Sequence, residues 1–240
     1  MAKPRLPNID YPWTPELAYA IGLLVTDGNL SKNGRNITMR SSDLEILETF
    51  KKCLRIQTPI ARSVNDGYAV KPSYRVQYTS VQFYRWLVKI GLFPNKTYTI
   101  GKINVPDEYF RDFLRGHLDG DGTILLYEDR YNNYKGRTYT NIRLYTEFIS
   151  VSEQHIRWLY AKIISLAGIK AALIKNAPGS EDRVPIWVIK VAKKNSLKLL
   201  PWIYYDENLP MLKRKRTKAR VAIQSISKEQ RRPYTRIVAQ

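Results

Sequence analysis

Gly116-His117-Leu118-Asp119-Gly120-Asp121-Gly122 closes a stretch, begun at Phe110, that reads as an apolar helix stopping on a carboxylate. Phe110, Phe113, Leu114 and Leu118 recur at helical spacing and share one face. Gly116 and Gly120 form a separate stripe one turn apart, where no side chain prevents a close approach. Asp121 stands at the C-terminal end, where the helix dipole disfavours an acid, so a carboxylate placed there wants a cation. The chain contains this arrangement twice. Gly22-Leu23-Leu24-Val25-Thr26-Asp27-Gly28 ends a helix that Thr14, Pro15 and Glu16 open as N-cap hydroxyl, first-position proline and first-turn acid. Gly22, Thr26, Asp27 and Gly28 match Gly116, Gly120, Asp121 and Gly122 at one constant offset.

The elements downstream of each helix repeat as well. After the first come a strand at 35–40, a helix at 43–54 with Ile46, Leu47, Phe50, Cys53 and Leu54 on its apolar face, and strands at 56–65 and 68–79 around an Asp66-Gly67 hairpin turn. A helix carrying Phe83, Trp86, Leu87 and Ile90 stops at Gly91. After the second come strands at 124–128 and 138–149 and a helix carrying Ile156, Leu159, Tyr160, Ile163 and Ile164. Strands at 169–176 and 184–192 come next, around Pro178-Gly179, then a helix near 196–205 interrupted by Pro201. Tyr74-Arg75-Val76-Gln77-Tyr78 matches Trp187-Val188-Ile189-Lys190-Val191. The second half is longer between its acid and its last strand, mostly near 127–137. The pattern is a diverged duplication: an arm at 1–13, a first half at 14–91, a linker at 92–105 in which Pro94 and Gly101 fall, a second half at 106–220 and a tail at 221–240.

Composition narrows the chemistry. Forty Lys and Arg against 21 Asp and Glu leave a net charge of +19, which points to a polyanion and above all to nucleic acid. No apolar run approaches roughly 18 residues, so no membrane partner is expected, and Met1-Ala2-Lys3-Pro4-Arg5 has no signal-peptide core. The expected location is the cytoplasm or nucleoid, or an organelle matrix if an organelle encodes the chain. Cys53 is the only cysteine, which excludes an internal disulfide and a Cys-rich zinc site. Its place on an apolar helix face predicts a buried, inert thiol. His117 and His155 have no ligand-like spacing and read as structural or surface residues.

Two helices with small residues along one seam would bring Asp27 and Asp121 side by side at its foot. Two such carboxylates raise one another's pKa unless a cation intervenes. Hard divalent ions prefer oxygen, and Mg2+ commonly takes one or two carboxylates plus substrate phosphate and water. The chemistry suggested is metal-assisted phosphodiester hydrolysis.

The two heptapeptides resemble the paired motifs of LAGLIDADG homing endonucleases, and the resemblance extends over 14–220. It implies an α+β monomer of two pseudo-symmetric αββαββα halves, with the motif helices at the interface and antiparallel sheets forming a DNA-binding saddle. It implies metal-dependent cleavage of both strands of a long asymmetric DNA duplex. Asp27 and Asp121 would be the catalytic acids. The metal would lie at Asp27, Asp121, Thr26 and Gly120, with Mg2+ expected and Mn2+ or Ca2+ as substitutes in binding. Lys190 matches the basic residue used near the scissile phosphate, and Gln77 is its counterpart. Gly22, Thr26, Gly116 and Gly120 would form the helix interface. Val25 departs from the pattern, standing where Asp119 stands in the second copy. The alternatives are an intron RNA maturase, with intron RNA as partner, or a catalytically inactive DNA-binding protein on the same fold.

Strand alternation supports DNA contact independently. Between 137 and 148 one face carries Arg137, Tyr139, Asn141, Arg143, Tyr145 and Glu147, the other Thr138, Thr140, Ile142, Leu144, Thr146 and Phe148. Tyr74, Val76, Tyr78, Trp187, Ile189 and Val191 would face the core, leaving Arg75, Gln77 and Lys190 on the other side. Such a face can read base edges in the major groove. The expected DNA contacts are Arg35, Arg40, Arg62, Arg75, Arg137, Tyr139, Asn141, Arg143, Tyr145 and Lys175. The basic cluster from Lys213 to Arg220 reads either as a phosphate contact or as a solvated helix end.

Overall fold

The computed structural model describes residues 10–63, 72–134, 137–177 and 184–231, with side chains left aside at 130–140 and 228–231. Helix α1 (Pro15–Asp27) begins where the Thr14 hydroxyl accepts from the Leu17 amide at 3.1 Å. Residues Leu17 to Val25 are buried without a gap, because α1 is covered on every side. The first half continues with β1 (Gly28–Leu30), β2 (Asn36–Ser41), α2 (Leu44–Leu54), β3 (Ala61–Arg62), β4 (Tyr74–Thr79) and α3 (Val81–Lys89). The second comprises α4 (Phe110–Gly120), β5 (Thr123–Tyr134), β6 (Arg137–Ser150), α5 (Glu153–Ala167), β7 (Ala172–Asn176), β8 (Ile186–Ala192) and α6 (Lys193–Ile203). Each half is therefore αββαββα, and α7 (Lys213–Arg231) comes after the second.

The halves share one topology. Two four-stranded antiparallel sheets run β1-β2-β4-β3 and β5-β6-β8-β7. One face of each packs on helices: Ile37, Met39 and Val76 are buried in the first sheet, Leu144, Phe148, Ile189 and Val191 in the second. Residues between them on the same strands, such as Arg40, Arg75, Gln77 and Asn141, are exposed. The two motif helices α1 and α4 pack against each other at the centre of the molecule.

Several expected boundaries shift. Strand β1 has no counterpart among the strands expected from the sequence: three residues directly after a helix cannot display alternation, and the strand exists through its pairing of Gly28 with Met39 and Leu30 with Ile37. The strand expected at 56–65 narrows to Ala61–Arg62 among the described residues. The turns at Asp66-Gly67 and Pro178-Gly179 lie outside the described residues. Pro106 precedes a 3-10 turn at Asp107–Tyr109 rather than opening the α-helix itself. In the 92–105 segment Leu92, Ile100, Ile103 and Val105 are buried in the core, and the boundary drawn at 220 falls inside α7.

Candidate active site

The site begins with glycines. A Cβ on Gly22 would lie 2.2 Å from the Phe113 carbonyl oxygen, and one on Gly116 would lie 2.1 Å from that of Tyr19. Backbone meets backbone here, so α1 and α4 can approach this closely only without side chains. One turn further on, a Cβ on Gly120 would lie 2.0 Å from Thr26 Oγ1 and 2.9 Å from Asp27 Oδ2. Gly22, Thr26, Gly116 and Gly120 therefore line one seam. The Thr26 hydroxyl lies 2.9 Å from the Leu23 carbonyl and 3.2 Å from Asp27 Oδ2, and donates between them.

Asp27 and Asp121 emerge at the foot of that seam, Asp27 half-buried and Asp121 exposed. Burial, then the neighbouring Asp121 charge, push the Asp27 carboxyl up to about 6. Burial also raises Asp121, against the pull of Lys96 and Lys215. Two carboxylates and two helix C-termini converge here, an accumulation of negative charge that favours cations.

Two cations are present, and neither is singled out by the sequence. Lys96 donates to the Gly28 carbonyl at 2.7 Å. Lys215, in the first turn of α7, reaches the carbonyls of Leu118 (2.5 Å), Asp119 (2.9 Å), Gly120 (3.3 Å) and Gly122 (2.7 Å). Burial pulls each ammonium down to about 8. Lys96 lies in a segment without periodicity and left no sequence signal. Lys215 did leave one: it shares a helical stripe with Ala219, Ala222 and Ile226, all buried. Of the two readings of the Lys213 to Arg220 cluster, neither describes Lys215. Arg214 and Arg216 instead pair with Asp43 and Glu207 at 3.2 and 3.1 Å.

Asp119 belongs to packing. It accepts from the Tyr19 hydroxyl (2.9 Å), the Tyr204 hydroxyl (3.2 Å) and the Leu212 amide (2.7 Å), tying α4 to α1 and to the chain entering α7. Beside it Arg115 is fully buried, bonded to Asp112 (2.7 Å) and to the carbonyls of Pro210 (2.8 Å) and Ile203 (3.0 Å). His117 and His155 stack on each other with Nε2 atoms 3.3 Å apart, and His155 Nδ1 donates to the Gly101 carbonyl at 2.8 Å. They are buried structural residues, together with Asp121, Lys96 and Thr26 in the wall of a 310 Å³ pocket. Cys53 is half-buried rather than fully buried as its helix face predicted, and the burial it has still drives its thiol up to about 12.

The sheet registers connect the acids to the other named residues. In the first sheet Gln77 pairs with Thr38 and Thr38 with Asn29, two residues beyond Asp27. In the second, Lys190 pairs with Glu147 and Glu147 with Thr123, two residues beyond Asp121. Gln77 and Lys190 thus occupy the same register position in the two halves, about 10 Å across two strand spacings from the start of β1 or β5. Lys190 is not free: its ammonium lies 3.2 Å from Glu147 and 4.3 Å from the centre of the Tyr145 ring.

Of the expected DNA contacts, Arg35, Arg40, Arg62, Arg75, Asn141 and Lys175 are exposed. Arg40 and Arg75 are direct cross-strand neighbours without an acidic partner among the described residues, an arrangement that is repulsive unless an anion offsets it. Arg143 is held by Asp129 at 2.7 Å, Tyr145 is half-buried, and Lys175 lies over the Trp187 ring at 5.4 Å. The side chains of Arg137 and Tyr139 lie outside the described residues. Among the described residues no group of three or more His, Cys, Asp and Glu side chains forms a metal-sized cluster. The donors on offer are the carboxylates of Asp27 and Asp121 and the backbone carbonyls beside them.

No protein-family model and no curated protein matches the chain. Solved structures do. Meganuclease I-SmaMI bound to uncleaveable DNA with a TTGT central four superposes with a TM-score of 0.60 at 15% identity, over 92% of each chain. The I-LtrWI LAGLIDADG homing endonuclease bound to target DNA gives 0.59 at 13% identity, over 90% of this chain and 91% of that one. Full-length DUF199/WhiA from Thermatoga maritima gives 0.53 at 14% identity, over 94% of this chain and 64% of that one. The resemblance carried by the two heptapeptides therefore holds in three dimensions: the chain has the two-half α+β fold of the LAGLIDADG homing endonucleases.

Proposed function

We propose that the protein is a monomeric, divalent-metal-dependent endonuclease that cuts both strands of a long, asymmetric DNA duplex. The observation that carries the reading is the convergence of Asp27 and Asp121 at the foot of the glycine seam, with each acid one or two residues before the first strand of its own sheet. The donor set suits a hard cation. It consists of oxygen only, and the Asp27 carboxyl is raised first by burial and then by the neighbouring Asp121 charge, both of which a bound cation would offset. Asp27 and Asp121 would hold Mg2+ together with the Thr26 and Gly120 carbonyls, the latter shared with Lys215. The chemistry such an ion supplies is activation of water and stabilisation of charge on the phosphodiester. Mn2+ or Ca2+ would bind at the same oxygens.

The rest of the work falls to the chain's own side chains. Lys190 and Gln77, at matching positions in the sheets, would face the phosphates near the acids, with Glu147 holding the lysine in place. The net charge of +19 supplies attraction to the DNA backbone. The Arg40 and Arg75 side chains, without an acidic partner among the described residues, would contact phosphate or guanine edges. Because the two exposed sheet faces carry different residues, the site they read would not be a palindrome.

The test is cleavage of a randomised duplex library with Mg2+ and recovery of the cut molecules. Once a target is in hand, Asp27→Ala and Asp121→Ala should each abolish double-strand cleavage and keep DNA binding. Normal cutting by both variants would refute the site. Tight sequence-specific binding without cleavage in any divalent metal would turn the reading to a DNA-binding protein on the same fold.

A further inference from the structure

The register that sets Gln77 opposite Thr38 and Lys190 opposite Glu147 makes a second set of positions equivalent, two residues further along each strand and on the same outer face. In the first sheet these positions hold Arg40 and Arg75, with Ala61 of β3 on the far side of Arg75. In the second they hold Ile149 and Val188, with Ile174 of β7 on the far side of Val188. One half thus presents two guanidinium groups where the other presents three aliphatic side chains in a row. Ile186, two residues before Val188 on the same face, widens the row into a patch. Ile174 and Ile186 are 37% and 42% exposed. The patch borders the acids, since Ile149 and Ile186 also line the pocket that has Asp121 and Thr26 in its wall.

Aliphatic side chains exposed on a face that otherwise carries Arg143, Tyr145, Glu147 and Lys190 cost free energy in water, and the cost is offset only when an apolar group covers them. The major groove of DNA offers one such group, the C5 methyl of thymine, while guanine presents the edge that an arginine matches. Residues at equivalent positions of a two-fold arrangement meet base pairs at equal distances from the centre of the target. We propose that Ile149, Val188, Ile174 and Ile186 read thymine methyls, at base pairs whose counterparts in the other half-site present guanine to Arg40 and Arg75. A guanine or cytosine under the patch would set a polar edge against side chains that cannot pair with it, so the patch also rejects. The inference rests on reading the exposed sheet faces as the DNA-contacting surface, and it does not need the acids to be catalytic.

The test reads binding alone. Duplexes are selected from a randomised library for binding to the full chain in chelator, where no metal-dependent cut can occur. Each recovered half-site is then resynthesised with deoxyuridine in place of thymidine, which keeps the hydrogen-bonding edges and removes only the methyl. Loss of each contacted methyl should weaken binding about fourfold, and only one half-site should respond. Indifference of both half-sites would overturn the proposal, as would binding with no sequence preference at all. Ile174→Ala and Ile186→Ala locate the effect. Each should weaken binding to the thymidine duplex and shrink the uracil penalty, whereas a merely structural role would leave that penalty intact. Ile149→Arg/Val188→Arg, which copies the first sheet, should move the selected base pair from T·A to G·C. An unchanged selection by the folded double variant would overturn the assignment, and if that variant does not fold the uracil penalty decides. The nuclease reading fails separately: a uracil-sensitive half-site without cleavage in Mg2+ would remove the catalysis and leave this proposal standing. Cleavage of a target indifferent to uracil would do the reverse.

Discussion

Replacing Gly116 by alanine tests the seam directly. The added carbon would stand 2.1 Å from the Tyr19 carbonyl oxygen and 3.1 Å from the Gly22 Cα. A carbon and a carbonyl oxygen come to rest at about 3.3 Å, so α1 and α4 must part locally by about 1.2 Å. Both atoms in the way belong to backbone, and no rotamer change can yield. Overpacking of this kind costs about 3 kcal/mol at the upper end of its range. The better helix propensity of alanine returns about 1 kcal/mol, leaving a net loss of about 2 kcal/mol, or about 4–8 °C in melting temperature. The activity should suffer more than the stability. Asp121 lies just over one turn beyond Gly116, and a misplacement of about 1 Å in a reacting constellation can cost about a hundredfold in rate. Differential scanning calorimetry and single-turnover cleavage at saturating DNA measure the two effects. Gly101→Ala is the control, since its added carbon would meet only the Gln154 side-chain oxygen at 3.4 Å, an ordinary contact. A Gly116→Ala protein that melts and cuts like the parent would show that the helices do not depend on this contact.

Cleavage should fall as pH drops through about 6, the folded-state value for Asp27, because the protonated acid no longer ligates a cation. The midpoint should move lower as divalent concentration rises; a midpoint indifferent to the ion would contradict the shared site. For the metal-free protein the sign is opposite. Protonated Asp27 is favoured by the fold, so its contribution to stability is complete below the ordinary value of 3.8 and is lost as pH rises through about 6. Arg115→Met strips a fully buried ion pair of one partner and strands Asp112, which should cost about 3–5 kcal/mol in urea unfolding. A loss within about 0.5 kcal/mol, as for an ordinary surface change, would refute that account.

Much of the architecture was legible in the chain. The duplicated heptapeptides, the Thr14 helix cap and the strict alternation along 137–148 are local features. They act over one turn or one strand, so spacing reveals them. The positions of Gln77 and Lys190 could be matched by sequence alone, and the sheet registers place them equivalently. The core segments beyond the repeat were harder. Leu92, Ile100, Ile103 and Val105 are buried without helical or strand period, and β1 is too short to have one.

The sequence by itself determined that two glycine-lined helices would each end on an acid and lead into a sheet with one basic face. Periodicity and side-chain size suffice for that. Only the tertiary structure decided what surrounds those acids. Lys96 and Lys215 reach Gly28 and the end of α4 across separations of 68 and 93 to 97 residues. Asp119 is taken into a hydrogen-bond network with Tyr19, Tyr204 and Leu212. Such contacts join groups with no local relation, and burial is what makes their charges matter. In water the same lysines and carboxylates would scarcely feel one another; at the foot of the seam they share one poorly solvated space.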